Sequence, residues 1–326
     1  MAGYLRAVRR RILTPSDEDT KLSTRGFRIK NDESRELLET VGATFLAGFG
    51  HAVEAKTTSD AEARLEEIPT RFRGFAYEGA AMGLTILDAL PFGGSRRLAG
   101  LLAGQGLDHI YMAYVGMGWA LARLPRFRWS KVQAPDPLLR WFALDGYGFH
   151  QAYFHTDRYV HQQYREPRFP WPADGPASYI DRAIDQGVGR AMWFVGGTDP
   201  DYVADLIDGF DESRRADLYS GSGLAATYAG GVDEDELRRF AKRAGPHRPQ
   251  VAQGSAFAAK ARVRAGLVVP HTHLATEVFC GMTPEEAAQV CDETRPDHGD
   301  QGELTAHDVW RQRIATRFVP LGGAGR

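Results

Sequence analysis

One motif keeps returning in this chain: a glycine, usually followed two residues later by a second, inside a run of alanine, aromatic and aliphatic residues. It appears at Gly79 (with Gly83), Gly116-Met117-Gly118, Gly146-Tyr147-Gly148, Gly187-Val188-Gly189, Gly221-Ser222-Gly223 and Gly254-Ser255. Successive first glycines lie 37, 30, 41, 34 and 33 residues apart. The flanking runs are helix-like, and a glycine inside a helix costs about 1 kcal/mol against alanine. Such a repeated cost requires a repeated compensation. Close approach of neighbouring helix backbones is the first candidate, and access of a ligand to the backbone is the second.

The spacing itself predicts a helical-repeat architecture, because periods of 30–40 residues hold two helices each. Asp199 to Gly231 runs as acidic start, apolar helix, arginine-rich joint, glycine-doublet helix and glycine stop; Asp233 to Gly266 and Ser59 to Gly94 repeat that order. Asp199-Pro200, Asp233-Glu234 and Thr283-Pro284-Glu285-Glu286 read as N-caps. Gly230-Gly231 and Gly266 read as helix stops. No alternating run of Val, Ile and Thr marks a strand. The expected fold is therefore all-α: degenerate helix pairs of about 35 residues forming a curved solenoid or ring. The expected organisation is a basic N-terminal segment (1–24), one helical domain (25–318) in two halves joined by a loop near 155–176, and a tail (319–326). A polar loop over 292–304 precedes a last helix from about His307 to Phe318.

Composition narrows the function classes. Forty Lys and Arg against 42 Asp and Glu give a net charge of −2, which argues against a dedicated nucleic-acid binder. Two cysteines, Cys280 and Cys291, build neither a disulfide framework nor a four-cysteine zinc site, and fit a reduced cytoplasm. Arginines interrupt the first residues before any secretory apolar region forms. The longest apolar run, Ile110 to Leu124, is too short to span a bilayer. Residues 4–13 form a short basic amphipathic helix, either frayed or docked on a membrane face or partner, so a cytoplasmic, membrane-peripheral placement is open.

Five of the six residues that precede a first glycine are polar: Glu78, Asp145, Gln186, Ser220 and Gln253, with Val115 the exception. In stacked repeats equivalent positions face one side, so these residues are expected either to line a common cavity or to bond neighbouring helices together. Glu78, Asp145, His150 and Arg190 are the candidate catalytic groups, with Asp145 or Glu78 as the base and Arg190 as the counter-charge. Asp145 and His150 are five apart and share no tight face, so a hydrogen-bonded structural role for His150 is the first reading of that pair. Gln186, Gln253, Ser220, Trp119, Phe149, Trp193 and Phe257 are the candidate ligand contacts, the aromatics walling a slot for an apolar or conjugated molecule. His150, His155, Asp157 and His161, and His271-Thr272-His273, match no strong metal spacing, so no metal or cofactor is expected. Phosphate-loop, dinucleotide and nucleophile-elbow motifs are missing from the sequence.

Longer motifs carry a resemblance. Arg73-Gly-Phe-Ala-Tyr-Glu-Gly-Ala-Ala-Met, Asp136-Pro-Leu-Leu-Arg-Trp, Leu144-Asp-Gly-Tyr-Gly-Phe-His, Ala216-Asp-Leu-Tyr-Ser-Gly-Ser-Gly-Leu-Ala and Pro270-His-Thr-His resemble the UnbL-type family of enediyne biosynthesis proteins, over about residues 25–315. The resemblance implies an accessory role beside an iterative polyketide synthase, with a thioesterase and a membrane protein as pathway neighbours. The implied task is modification of a linear polyene or polyyne during core formation. The alternative is a non-catalytic scaffold or carrier that shelters the polyene and docks the synthase or a membrane partner. A homo-oligomer is compatible with both. The family has no assigned catalytic residues to carry over.

Overall fold

The computed structural model describes residues 2–91, 96–172, 175–297 and 305–319. Gly94, residues 298–304 of the expected polar loop and nearly all of the expected tail lie outside them. Every regular element among the described residues is helical. The α-helices are α1 (Ala2–Leu13), α2 (Leu22–Arg25), α3 (Asp32–Glu54), α4 (Thr58–Glu66), α5 (Thr70–Ala89), α6 (Arg97–Leu102), α7 (Ile110–Arg123) and α8 (Trp141–Phe154). They continue with α9 (Ala177–Val195), α10 (Pro200–Asp208), α11 (Glu212–Ala229), α12 (Glu234–Arg243), α13 (Arg248–Arg264), α14 (Pro270–Cys280), α15 (Pro284–Glu293) and α16 (Ala306–Arg317).

The glycine motif explains how the long helices are joined. In the order α3, α5, α7, α8, α9, α11, α13 and α15, each packs on the next. The first glycine of a helix lies against a backbone carbonyl of the helix before it: Gly116 on Glu78 O, Gly146 on Val115 O, Gly187 on Asp145 O, Gly221 on Gln186 O and Gly254 on Ser220 O. The second glycine lies against the helix after it: Gly118 on Ala143 O, Gly148 on Ile184 O, Gly189 on Leu218 O and Gly223 on Val251 O. The doublet is thus a two-sided contact, one glycine for each neighbour. A Cβ at any of these positions would overlap main-chain atoms, so close backbone approach is the compensation for the helix cost.

Caps fall where the sequence puts them. The Asp199 side chain accepts from Asp201 N and Tyr202 N, while Asp233 with Glu236 and Thr283 with Glu286 form capping boxes. Gly230 (φ 78°) and Gly266 (φ 64°) close their helices in backbone conformations that favour glycine. A short helix precedes the long one at α4–α5, α10–α11 and α12–α13, while α14 and α15 are of nearly equal length. The middle departs from pair regularity: α7 reaches α8 through a 3-10 turn (Arg126–Lys131), and α8 reaches α9 through a one-turn π-helix (Asp157–His161) and a loop. Nothing interrupts the packing there, since Gly148 and Gly187 join α8 to α9 like any other neighbours.

The row also meets itself. Phe45 of α3 packs on Trp119 of α7 at 4.5 Å between ring centroids, Phe75 of α5 on Tyr228 of α11 at 5.1 Å, and Phe142 of α8 on Phe257 of α13 at 5.3 Å. The segment before α3 ties to later helices: Arg28 N donates to Val195 O at 2.9 Å and Lys30 pairs with Glu236 at 2.8 Å. These contacts, between helices far apart in the row, enclose an interior and are compatible with a curled repeat.

Candidate functional site

A cavity of ≈60 Å³ lies between α3, α5, α7, α8, α9 and α11. It is a product of helical periodicity, because each helix gives it residues three, four or seven apart. The stripes are Val41 and Phe45; Phe75, Glu78 and Met82; Trp119 and Arg123; Phe149 and Tyr153; Arg190 and Phe194; and Ala225 and Tyr228. Its wall is overwhelmingly apolar, with Trp119 in the middle, 4.5 Å from Phe45 and 5.2 Å from Phe149 between ring centroids.

Two buried charged side chains, Glu78 and Arg190, stand on this wall, and a third, Asp145, is buried behind it against Arg190 without lining the cavity. Arg190 Nη1 donates to Asp145 Oδ1 in a very close contact, and Arg190 Nη2 stands 3.9 Å from Glu78 Oε1. The cluster therefore ties α5, α8 and α9 together. Burial pushes the Glu78 carboxyl up to about 7; Arg190 opposes the shift and Asp145 adds to it. Burial also raises the Asp145 carboxyl above its usual range, against the pull of Arg190. Arg190 itself loses hydration, but Asp145 and Glu78 outweigh that loss and hold its pKa above the ordinary value. The Asp145 Oδ2 atom has no hydrogen-bond partner among the described residues.

His150 also faces the cavity. Burial, then Arg123, depress its pKa to about 3, so it is a neutral imidazole at ordinary pH. Its Nδ1 lies 3.4 Å from Gln151 Oε1 and its Nε2 is unpartnered among the described residues. Asp145 and His150, five apart on α8, do not pair: Asp145 turns to Arg190. His155 and His161, near His150 in the sequence, are exposed. Among the described residues, no group of three or more His, Cys, Asp or Glu is placed to hold a metal ion.

The other expected ligand contacts lie elsewhere. Ser220 donates to Gln253 Oε1 at 2.7 Å, and Arg311 Nε donates to the same oxygen at 3.2 Å. Arg311 pairs with Asp217 at 2.9 Å, Arg182 bridges Asp217 and Asp308 at 3.1 and 2.7 Å, and Tyr179 Oη lies 2.6 Å from His307 Nδ1. This second polar network, on α9, α11, α13 and α16, absorbs Ser220 and Gln253. Gln186 is buried, with its Nε2 unpartnered among the described residues. Trp193 bonds Gly230 O at 3.0 Å and packs on Phe240, and Phe257 packs on Trp310 at 4.8 Å. The polar residues before the glycines thus serve two clusters rather than one surface. Their carbonyls share a register along the row, and their side chains do not.

Phe45, Phe75, Met82, Tyr153, Phe194 and Tyr228 line the cavity but were not singled out by the sequence. An i, i+4 extension from Glu78, Phe149 and Arg190 reaches Met82, Tyr153 and Phe194.

Fold and site together define an all-helical protein with an aromatic-walled interior cavity and a buried carboxylate–guanidinium cluster on its wall. The chain belongs to the family described as "Protein of unknown function (DUF1702)", whose model matches residues 4–318. No curated protein and no solved structure matches it.

Proposed function

We propose that this protein is a cytoplasmic accessory enzyme of enediyne core formation, which moves protons on a linear polyene or polyyne held in the α3–α11 cavity. The observation carrying this reading is Glu78. It is a carboxyl buried in an aromatic enclosure, with a pKa raised to about 7 and one guanidinium nearby. A group that titrates near the working pH is matched to give and take protons. Arg190 would stabilise negative charge developing on the conjugated chain, and Asp145 would hold Arg190 in place. The neutral His150 would offer its Nε2 to the bound chain. These groups supply proton transfer and charge stabilisation, chemistry suited to isomerising or cyclising a polyene without change of oxidation state. The polyketide context comes from the motif resemblance. At ≈60 Å³ the cavity has room for only a few water molecules, so a long chain would enter only as its aromatic wall parts.

The test incubates purified protein with the products of the synthase and thioesterase, and follows mass and absorption spectra. Wild type should produce a new species or chromophore, and Glu78→Gln should abolish it while keeping its helical content. A polyene that binds wild type and Glu78→Gln alike, with no new species from either, would replace the enzyme with the carrier.

A further inference from the structure

α1 is held in place but is covered on one side only. Its Arg9 Nε donates to Val53 O at 2.5 Å, and its Arg10 pairs with Glu54 at 2.8 Å, fixing the helix against the end of α3. The opposite side is bare. Tyr4, Leu5 and Ile12 are 75%, 65% and 74% exposed, the largest such group on any one helix of the described residues. At about 100° per residue they fall, with the half-buried Val8, into one arc about 100° wide. Arg11 borders that arc on one side and Arg9 on the other. The helix contains four arginines and no acidic residue.

Beside this ridge opens a basic cleft of ≈690 Å³, whose charged lining is Arg6, Arg9, Lys56, Arg96 and Arg97. Asp88 pairs with Arg97 at 3.2 Å, and Glu54, at the rim, is engaged by Arg10 and Arg64. Among the described residues, no carboxylate forms an ion pair with Arg6, Arg9 or Lys56. Burial first, and then the charges of Arg97 and Arg6, press the Arg9 pKa downward. The whole chain carries −2, so this positive face is a local concentration rather than a global excess.

We infer that α1 and this cleft form a docking surface for an anionic membrane, with Tyr4, Leu5 and Ile12 entering the interface and the cleft receiving acidic lipid headgroups. An apolar ridge flanked by arginines suits the boundary between headgroups and acyl chains. A soluble phosphate would account for the cleft but not for the ridge next to it. A protein partner with an apolar groove would account for the ridge but not for the cluster of cations in the cleft. The inference is independent of the cavity chemistry.

Vesicle flotation of the full chain tests it, with phosphatidylcholine alone and with about one-third phosphatidylglycerol added. The chain should float with the acidic vesicles only, and molar salt should release it. Arg6→Gln and Lys56→Gln should each weaken partition about fivefold. The double variant Leu5→Glu/Ile12→Glu should remain helical, with an unchanged melting temperature, yet lose flotation. Three results would overturn the inference: no partition to acidic vesicles, equal partition of the double variant, or a wild-type dimer that the double variant converts to a monomer.

Discussion

Replacing Gly187 with alanine adds one methyl between α8 and α9. That methyl would overlap Asp145 O and would lie 2.7 Å from Asp145 C and 2.8 Å from Phe149 N. All three atoms are backbone of α8, so no side chain can rotate to make room and the helices must separate. Overpacking of this kind costs about 3 kcal/mol, the upper end of its usual range. Alanine's better helix propensity offsets about 1 kcal/mol of that. The net loss of about 2 kcal/mol corresponds to a fall of about 3 °C in the melting temperature of a chain this long. Gly209→Ala is the control. Gly209 ends α10 with φ −72°, and a Cβ there would meet nothing closer than 3.4 Å. Its melting temperature should stay the same or rise slightly. A Gly187→Ala variant at least as stable as wild type, by thermal denaturation followed by circular dichroism, would refute the reading of the glycine doublets as backbone contacts.

Other consequences follow from the buried charges. Glu78 has a folded pKa of about 7 against 4.5 unfolded, so its contribution is fully present below 4.5 and is lost as pH rises through 7. The swing is about 3 kcal/mol, and Glu78→Gln should flatten this part of the melting temperature–pH curve. Asp145→Asn strips Arg190 of its closest counter-charge and should cost about 3 kcal/mol or more, seen as a lower denaturant midpoint. Cys280, pushed up to about 12 by burial, and Cys291, raised in the same way, should resist thiol reagents in the native state and react only on unfolding.

The all-helical fold was legible because its signals are local. Caps at Asp199, Asp233 and Thr283 need only a few residues, and the glycine doublets announce a repeated interface by their cost. The placement of the polar residues was less legible. The residue before each first glycine is in register because its carbonyl meets the next helix, but where its side chain goes depends on helix tilt and available partners. Asp145 finds Arg190, 45 residues away, while Ser220 finds Gln253, whose Oε1 also accepts from Arg311. Trp193 and Phe194 show how narrow the choice is: Phe194, four residues from Arg190, enters the cavity, and Trp193 turns away to Gly230. The second network escaped notice because α16 brings Asp308 and Arg311 from the far end of the chain.

The central claim is that Glu78 is a proton-transfer group poised near neutrality inside the cavity. Infrared difference spectroscopy of carboxyl bands across a pH series, wild type against Glu78→Gln, measures this directly. The account predicts a protonated-carboxyl band in wild type that disappears with a midpoint near 7, and that is missing from Glu78→Gln. A wild-type spectrum with no Glu78-dependent band above pH 5, meaning an ordinary carboxylate titrating near 4.5, would contradict it.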